Sequence, residues 1–435
     1  MSKWSRLLVV LVLLIVPGWA EANAQVVSTK EYLVLFKQDK LPTDYQQVIT
    51  SAGGLVKSVI PQLGAVVAQS DYRNFLLDLA GNNKVEEAGL NVNITLEEDI
   101  FRLLKISSLA PPVQGDLYQM FQWDIQRVGG KPATWAKQAG NHQVVVAVLD
   151  TGIDAEHPDL AGNYLYGKSF VPGYPDGGED GNGHGTHVAG AIAANGRVIG
   201  VGPGLGLASY RIFDPTGQGS VDTVAQAIVV AADDGVDVIN LSIGGYVNKT
   251  DKQSMAEYQL LKKAVNYSLQ RQVTLVAAAG NNGVNLQKKN QLIPSLRGGL
   301  VAIPVGIPGV LGVSATNKSD ELAFYSNYGQ SVIDLAGPGG DVGANFDPIT
   351  MTGEMDILSA NLSTVPGGGY GWMLGTSMAT PKVSAVAGLI IAQHGKIGPD
   401  RVAALLKKSA VDLGKLGKDE YFGFGQVNAE AAISN

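Results

Sequence analysis

The stretch QVVVAVLD, residues 143–150, indicates the fold class of this chain. It is a short, mainly β-branched apolar run, which is typical of a strand that is buried on both faces of a parallel sheet. Similar runs occur later in the sequence, at LASYRIF (207–213), VDVINLSI (236–243), VTLVAAAG (273–280) and VLGVSAT (310–316). The chain therefore carries the strands of a sheet whose two faces are both covered.

Stretches with helical character separate these strands, and the longest are SVDTVAQAIVVAADDG (220–235), SMAEYQLLKKAVNYSLQRQ (254–272) and SMATPKVSAVAGLIIAQHG (377–395). Alternation of strand and helix predicts an α/β fold with a mostly parallel central sheet and helices on both faces. In such sheets, ligands bind beyond the carboxyl ends of the strands. Asp150, which ends one strand, and Asn281, which follows another, are therefore candidates for a functional site.

A smaller α+β unit precedes the α/β part. Its predicted elements are strands at 31–36, 63–70 and 91–99 and a helix at 71–81 that Asp71 would cap. The stretch SSLAPPVQG (107–115) reads as a linker, because Pro-Pro and Gly break both helices and strands. We therefore predict a small domain over residues 25–110 and a main domain over residues 111–435.

The first 24 residues have the pattern of a secretory signal peptide. Lys3 and Arg6 supply positive charge, residues 7–16 are apolar, and Ala22-Asn23-Ala24 is a small-x-small cleavage site. The apolar run is too short to span a bilayer as a helix. An uncleaved membrane anchor is the alternative interpretation. We expect export to the periplasm or the medium, with no membrane association after signal removal.

The composition excludes several classes of function. The chain has 435 residues, of which 45% are hydrophobic and 16% charged, and its net charge is −7. This acidic balance argues against a nucleic-acid partner. The chain contains no cysteine, so thiol catalysis, a cysteine-ligated zinc site and disulfides are all excluded.

Four stretches carry polar residues in glycine-rich surroundings: VLDTGID (148–154), GHGTHVAG (183–190), AAAGNNG (277–283) and GTSMATPKVSAVAG (375–388). Each has a purely structural explanation when it is taken alone. Asp150 could cap a turn, Asn281 could form one, and Ser377 could cap a helix whose first turn holds Pro381.

His184 and His187 raise the question of a metal site. The zincin pattern H-E-x-x-H places its histidines four apart and includes a glutamate. Here the histidines are three apart and the glutamate is missing. Metal ligation by this pair is therefore disfavoured.

Taken together, the four stretches supply Asp, His and Ser in that order, with an amide donor before the serine. This set provides a nucleophile, a base, a group that orients the base, and a donor for an oxyanion. An α/β-hydrolase is excluded because its order is Ser, Asp, His and its elbow is G-x-S-x-G, whereas this chain has G-T-S-M-A.

From about Trp123 to residue 432, the chain resembles the subtilisin family (subtilases) of serine endopeptidases, whose motifs occur here in the family's order. The resemblance implies that Ser377 attacks the peptide carbonyl, that His184 moves the proton, and that Asp150 orients His184. Asn281 and the Ser377 backbone N–H would bind the oxyanion. His187 would then be structural. A pseudoprotease is disfavoured because no catalytic residue is missing.

The resemblance also implies how substrate binds and how the enzyme is made. LSIGGY (241–246) is similar to the family strand that pairs with an extended peptide, so Ser242, Ile243 and Gly244 would line the first specificity pocket. Residues 25–110 resemble the propeptide, which would assist folding and inhibit the enzyme until self-cleavage somewhere in 103–120. A permanent N-terminal subdomain is the alternative.

We expect no required cofactor, while a structural calcium ion stays open. Asp159 of HPDL is the residue that the resemblance would give to a calcium site. The loop that would complete that site, residues 193–204, is shorter than in calcium-binding relatives, and one carboxylate cannot provide six to eight oxygens. The expected partners are a protein or peptide substrate and the chain's own propeptide, and we expect a monomer.

The same short loop, with ASYRIFD and DDGVDVINLSIGGY, resembles more closely the subgroup that trims lantibiotic leader peptides. Two hypotheses therefore remain, a general secreted endopeptidase and a dedicated processing protease for a peptide precursor. A metal-dependent hydrolase is a third, disfavoured class, and full activity in excess chelator would exclude it.

Overall fold

The structure is a computed structural model, and it describes residues 29–96, 100–103, 113–288, 300–347, 350 and 352–434. The predicted signal peptide, residues 1–24, and the predicted domain boundary after residue 110 lie outside these ranges. No helix in the described ranges is both long and apolar enough to cross a membrane.

The N-terminal unit is an antiparallel sheet of four strands, in the order β2-β3-β1-β4, with two short helices. Its elements are β1 (Lys30–Phe36), α1 (Tyr45–Ser51), β2 (Leu55–Ile60), β3 (Ala65–Ser70), α2 (Phe75–Ala80) and β4 (Val85–Leu90). Two short strands follow, β5 (Asn93–Thr95) and β6 (Ile100–Leu103).

The predicted helix at 71–81 begins later than expected. Asn74, and not Asp71, precedes its first residue, Phe75. The backbone N–H of Tyr72 donates to the Ser70 hydroxyl at 3.0 Å, and that hydroxyl donates to the carbonyl of Gly53 at 2.7 Å. This local bond holds the chain in a turn, which competes with helix formation.

The main domain begins with three short helices, α3 (Asp116–Phe121), α4 (Trp123–Arg127) and α5 (Pro132–Trp135). Its central part contains β7 (Val145–Asp150), β8 (Tyr164–Ser169), α6 (His184–Ala193), β9 (Gly206–Arg211), β10 (Gln218–Ser220), α7 (Val221–Asp233), β11 (Val238–Leu241), β12 (Gly245–Asn248), α8 (Lys252–Gln270) and β13 (Thr274–Ala278). Its last part contains β14 (Leu300–Ile303), β15 (Val310–Thr316), β16 (Leu335–Pro338), β17 (Phe346–Asp347), β18 (Thr352–Gly353), β19 (Asn361–Val365), β20 (Gly369–Leu374), α9 (Thr376–His394), α10 (Pro399–Ser409) and α11 (Ala429–Ala432).

A seven-stranded parallel sheet with the order β16-β15-β13-β11-β7-β9-β8 forms the centre of the main domain. Alternate residues of β7 face opposite cores. Val146 and Val148 pack in the cluster that includes α6 and α9, while Ala147 and Leu149 pack in the cluster that includes α7 and α8. Burial on both faces explains the uninterrupted apolar runs, and it confirms the predicted fold class.

The N-terminal sheet lies against α8. Leu33, Leu35 and Val67 share an apolar cluster with Tyr258 and Leu261 of that helix. At the edge of this contact, Lys263 pairs with Asp39 and with Glu86. The two units therefore share one continuous apolar interface.

Two further strand pairs join the N-terminal unit to the main domain. β5 runs antiparallel to β10, and the backbone N–H of Leu96 donates to the carbonyl of Gly217 at 2.8 Å. β6 runs antiparallel to β20, with Ile100 opposite Leu374. The segments before and after residues 97–99 are thus held by two different strands of the main domain.

Candidate active site

Asp150 is the last residue of β7 and is fully buried. Its Oδ1 accepts hydrogen bonds from the backbone N–H of Thr151 at 2.8 Å and from Nδ1 of His184 at 2.7 Å. Burial raises the pKa of the Asp150 carboxyl, and the contact with His184 opposes that rise. Gly185 lets the start of α6 approach the end of β7 closely, because a Cβ there would lie 2.1 Å from the carbonyl oxygen of Gly152.

His184 is the first residue of α6 and is 3% exposed. The preceding Gly183 has φ = 106°, a left-handed conformation that favours glycine. Asp180 Oδ1 accepts from the backbone N–H of Gly183 at 2.8 Å, and its Oδ2 accepts from that of Thr186 at 2.9 Å. Asp180 therefore holds the positive end of α6 and fixes the start of the helix that carries His184. Our sequence reasoning missed Asp180, although a carboxylate just before a helix is a recognisable capping signal.

His187 lies one turn further along α6 and has a different environment. Its Nε2 is 3.1 Å from the backbone carbonyl of Asn361, and the side chain is 1% exposed. Burial, followed by the charge of Lys382, lowers the pKa of His187 to about 3. A neutral imidazole that is enclosed in this way is suited to packing and not to proton transfer near neutral pH.

Ser377 is the second residue of α9 and is 5% exposed. Its Oγ donates to the backbone carbonyl of Ser242 at 3.2 Å. The carbonyl of Ser377 in turn accepts from the Ser242 hydroxyl at 2.8 Å. Ser242 therefore contacts both the side chain and the backbone of Ser377, a link that the sequence did not predict.

Pro381 explains why the Ser377 carbonyl accepts a side-chain donor. We expected Pro381 in the first turn of the helix, but it lies inside α9, four residues after Ser377. Proline has no N–H to donate to the carbonyl four residues earlier, so that carbonyl takes the Ser242 hydroxyl instead. Asn240 Nδ2 donates to Ser242 Oγ at 3.0 Å, and Ser384 Oγ donates to Asn240 Oδ1 at 2.8 Å. These hydrogen bonds therefore connect Ser377 to Ser384, and both residues belong to α9.

Asn281 follows β13, and its side chain is tied to the start of α9. Asn281 Oδ1 accepts from the backbone N–H and from the hydroxyl of Thr376, both at 2.9 Å. Thr376 Oγ1 also accepts from the backbone N–H of Gly280 at 3.1 Å. These bonds fix the plane of the Asn281 amide and direct its oxygen toward Thr376, so its NH₂ group lies at the opposite side of the amide.

The structure thus brings the predicted residues together in two groups. Asp150 contacts His184, while Ser377 bonds to Ser242 and the preceding Thr376 bonds to Asn281, so these residues meet at the start of α9. Ser242 and Ile243 are buried and Gly244 is half-buried, in the segment between β11 and β12. The loop before β10 lies beside the His184 loop, because Asn182 Nδ2 donates to the carbonyl of Pro215 at 3.2 Å.

Asp159 is surrounded by donors from the protein itself. Its Oδ2 accepts from the backbone N–H of Val198 at 2.9 Å and from the Tyr370 hydroxyl at 3.1 Å. The neighbouring Arg197 pairs with Asp116 at 2.7 Å. Within the described ranges, no three His, Asp or Glu side chains form a group that could hold a metal ion. A single carboxylate already engaged by two donors does not fit the oxygen shell of calcium.

Residues 141–425 match the sequence profile of the Subtilase family, which covers more than half of the chain. The chain belongs to the subtilase family. Subtilisin NAT from Bacillus subtilis subsp. natto is 30% identical to it over 440 aligned positions, which cover 99% of this chain and 98% of that protein. Subtilisin Savinase from Lederbergia lenta is 36% identical over 317 positions, covering 72% and 99%. This subtilase is therefore a subtilisin-like serine endopeptidase that acts on proteins or peptides.

Among solved structures, the subtilase is similar to the epidermin leader peptide processing serine protease of Staphylococcus aureus. The TM-score is 0.80 at 27% identity, and the match covers 93% of this chain and 99% of that one. It is also similar to the nisin leader peptidase NisP from Lactococcus lactis, with a TM-score of 0.64 at 28% identity over 74% of this chain and 95% of NisP. The lantibiotic leader peptidases, which the short loop at 193–204 also resembles, are therefore similar to this chain in fold as well.

Proposed function

We propose that this subtilase cuts peptide bonds through Ser377 as nucleophile, His184 as proton carrier and Asp150 as the group that orients His184. The observation that carries this proposal is the 2.7 Å bond between Asp150 Oδ1 and His184 Nδ1 at the carboxyl edge of the sheet. A carboxylate at Nδ1 leaves Nε2 as the basic nitrogen, which is the tautomer that a general base for serine requires.

In the first step, Ser377 Oγ attacks the carbonyl carbon of the substrate while its proton moves to His184 Nε2. The resulting imidazolium is stabilised by the ionised Asp150, and it then gives the proton to the leaving amine as the C–N bond breaks. Water attacks the acyl-enzyme by the same route, with His184 again acting as base. His184 returns this proton to Ser377 Oγ as the ester bond breaks, and the second product leaves as a carboxylic acid that loses its own proton to water.

The oxyanion formed in both steps would be bound by Asn281 Nδ2 and by the backbone N–H of Ser377. The Thr376 bonds to Asn281 Oδ1 support this role, because they fix the opposite end of the amide. Preorganised donors of this kind lower the barrier without reorganising during the reaction. The position of Ser377 in the first turn of a 19-residue helix adds a favourable partial positive charge.

Substrate would lie in an extended conformation beside Ser242, Ile243 and Gly244, which we propose as the wall of the first specificity pocket. The segment between β11 and β12 supports this interpretation, since it adjoins Ser377 through the Ser242 bonds. Main-chain pairing of this kind binds peptides of many sequences, and the pockets then select side chains.

We further propose that the enzyme is made as a zymogen whose N-terminal unit inhibits it until self-cleavage. The two strand pairs that flank residues 97–99 support this proposal. β5 pairs with β10 beside the His184 loop, and β6 pairs with β20, which ends three residues before Ser377. Because the described residues on both sides of 97–99 pair with strands next to the proposed site, we propose that self-cleavage occurs at a bond between Thr95 and Ile100. This site is N-terminal to the range 103–120 that the sequence predicted.

Export of the chain by its predicted signal peptide, residues 1–24, fits this scheme, because an inhibited precursor protects the producing cell from proteolysis. We propose a periplasmic or extracellular location, with no nucleic-acid partner and with a monomeric enzyme. Without cysteines, the mature protein would depend on its large apolar core for stability in either compartment.

A second candidate function is the dedicated processing of one peptide precursor. The TM-score of 0.80 with the epidermin leader peptide processing protease supports it. A broad endopeptidase would degrade unfolded casein to many peptides, whereas a dedicated protease would leave casein intact and cut only its own precursor and a specific leader sequence.

Covalent labelling tests the proposed chemistry. A fluorophosphonate should add one adduct to Ser377, and peptide mapping should find that adduct on no other serine. Asp150→Asn should slow the labelling, while excess chelator should not change it. Labelling that proceeds equally well in Ser377→Ala would contradict the proposed nucleophile.

A further inference from the structure

Asn327 is a fully buried amide that the sequence motifs did not include. It lies in a loop between β15 and β16, about 45 positions from the Asn281 loop in the sequence. Its side chain has two donor hydrogens and an acceptor oxygen, and both the oxygen and one donor bond to the segment that carries Asn281.

The hydrogen bonds of Asn327 enclose Asn281 from both sides. On the N-terminal side, Asn327 Nδ2 donates to the carbonyl of Ala279 at 2.9 Å, and its backbone N–H donates to the carbonyl of Gly280 at 2.9 Å. On the C-terminal side, Asn327 Oδ1 accepts from the backbone N–H groups of Asn282 at 3.2 Å and Val284 at 3.1 Å.

Tyr246 connects these bonds to the proposed specificity wall. Asn327 Nδ2 also donates to the Tyr246 hydroxyl at 2.9 Å, and that hydroxyl donates to Asn282 Oδ1 at 2.6 Å. Tyr246 is the second residue of β12, which directly follows the proposed specificity wall. The loop, the wall and Asn327 therefore form one hydrogen-bonded unit.

Besides Asn327, the loop is held by Thr376 and by backbone bonds to Tyr325 and Tyr328, yet its own backbone is flexible. Asn282 and Gly283 are exposed, and both Gly280 (φ = 94°) and Gly283 (φ = 66°) have left-handed conformations. Two glycines in that region make the backbone easy to displace. An oxyanion donor must stay close to one position, and a displacement of about 1 Å is enough to lower the rate strongly.

We propose that Asn327 is a positioning residue for the oxyanion donor. It holds the backbone on both sides of Asn281, while Thr376 orients the Asn281 amide. This inference rests on the proposed role of Asn281, and it assigns Asn327 no contact with the substrate. Loss of Asn327 should therefore lower kcat and leave KM nearly unchanged, because the effect appears when negative charge develops on the oxygen.

The test compares Asn281→Ala, Asn327→Ala and the double variant, using a fluorogenic peptide and active-site titration of the matured enzyme. We expect Asn281→Ala to lower kcat by about 10²–10³ and Asn327→Ala by about 10-fold or more. The double variant should be within a few-fold of Asn281→Ala, because a positioning residue has no effect once its target is gone. Losses that multiply would overturn the proposal.

Asn285→Ala is the matched control. Asn285 is buried in the same loop, but its side chain bonds to Glu420 at 2.8 Å and to the backbone N–H of Gln287 at 3.0 Å. This variant should lower Tm and keep kcat. Asn327→Asp keeps an acceptor and loses both side-chain donors, so it provides a folded alternative if Asn327→Ala does not fold, and it should also lower kcat.

The outcomes separate the two proposals. If Asn281→Ala retains full kcat, the oxyanion role itself is wrong. If Asn281→Ala is impaired while Asn327→Ala and Asn327→Asp both retain full kcat, only the positioning role is wrong. The affinity for a peptide aldehyde, which forms a tetrahedral adduct, should fall in parallel with kcat for the Asn327 variants and should not change for Asn285→Ala.

Discussion

The main domain contains two buried pairs of ionisable side chains, Asp150 with His184 and Asp124 with Lys382, and their surroundings differ. Asp150 and His184 meet at 2.7 Å where β7 ends and α6 begins. Asp124 and Lys382 meet at 2.8 Å inside the protein, and Lys382 also donates to the carbonyls of Pro338 and Met378.

In the second pair, the three N–H groups of Lys382 are all bound by the protein, so no proton is left for a substrate. Burial lowers the pKa of Lys382, and the charge of Asp124 opposes that change. In the first pair, the carboxylate binds only one nitrogen of an imidazole at a helix start. Burial and a short distance are therefore common to both pairs, and the complete use of the Lys382 donors by protein acceptors distinguishes the structural pair from the pair that we propose as catalytic.

Among the changes that test this comparison, Asp150→Asn should have the largest effect, and the effect should be on kcat. The amide can present a donor to His184 Nδ1 and favour the wrong tautomer, so kcat should fall by about 10⁴. Tm should change little, because the two side chains have nearly the same shape. A kcat within tenfold of the wild type would show that the first pair is structural as well.

Asp124→Asn should change stability instead. It leaves the charge of Lys382 buried without its partner, so the free energy of unfolding should fall by about 3–5 kcal/mol. Urea unfolding in a Ser377→Ala background avoids self-digestion and measures this loss. The double change Asp124→Leu with Lys382→Met should recover most of it. In active enzyme well below Tm, a strongly lowered kcat for either variant would contradict the structural role.

Glu257 is a buried carboxyl that can be compared with the two pairs, because it forms no ion pair with any residue in the described ranges. It lies on α8, is 4% exposed, and burial raises its pKa to about 7. The folded chain then binds a proton that the unfolded chain has released, between a pH of about 4.5 and 7. The free energy of unfolding should therefore decrease as pH rises through that window, by no more than about 3 kcal/mol. Glu257→Gln should flatten the dependence in urea unfolding at pH 5 and pH 8, and an unchanged slope would contradict this assignment.

The smallest expected changes in stability concern the surroundings of Asp159. We propose that protein donors and the nearby Arg197 take the role that a calcium ion would have, so excess chelator should leave Tm unchanged. Arg197→Gln removes the pair with Asp116 and should cost about 1 kcal/mol. Added calcium should not restore that loss. A chelator-induced fall in Tm that calcium reverses would contradict the proposal.

The sequence was sufficient for the sheet and for the local surroundings of the catalytic candidates. Apolar runs such as 143–150 predicted strands because burial on both faces leaves no room for polar residues. The four motifs also predicted where Asp150, His184 and Ser377 occur relative to strand ends and helix starts, since each motif is local in the sequence.

What the sequence did not predict depends on contacts between distant segments. Asn327 has no motif of its own, and its importance follows only from bonds to residues about 45 positions earlier. Pro381 fits the first turn by local rules, yet it lies deeper in α9, where the distant Ser242 supplies the missing donor. The pairing of β6 with β20 joins segments about 270 residues apart, so the sequence alone did not predict it.

The most direct test of the central claim is the intact mass of the wild-type chain beside that of Ser377→Ala, both expressed with the N-terminal unit. We expect the wild type to be cut at a bond between Thr95 and Ile100, while the variant keeps its N-terminal unit. Cleavage of both proteins at the same bond would mean that another protease matures the chain, and it would contradict self-processing by Ser377. A cut in the wild type alone, but C-terminal to Ile100, would keep Ser377 as the nucleophile and contradict the proposed cleavage site.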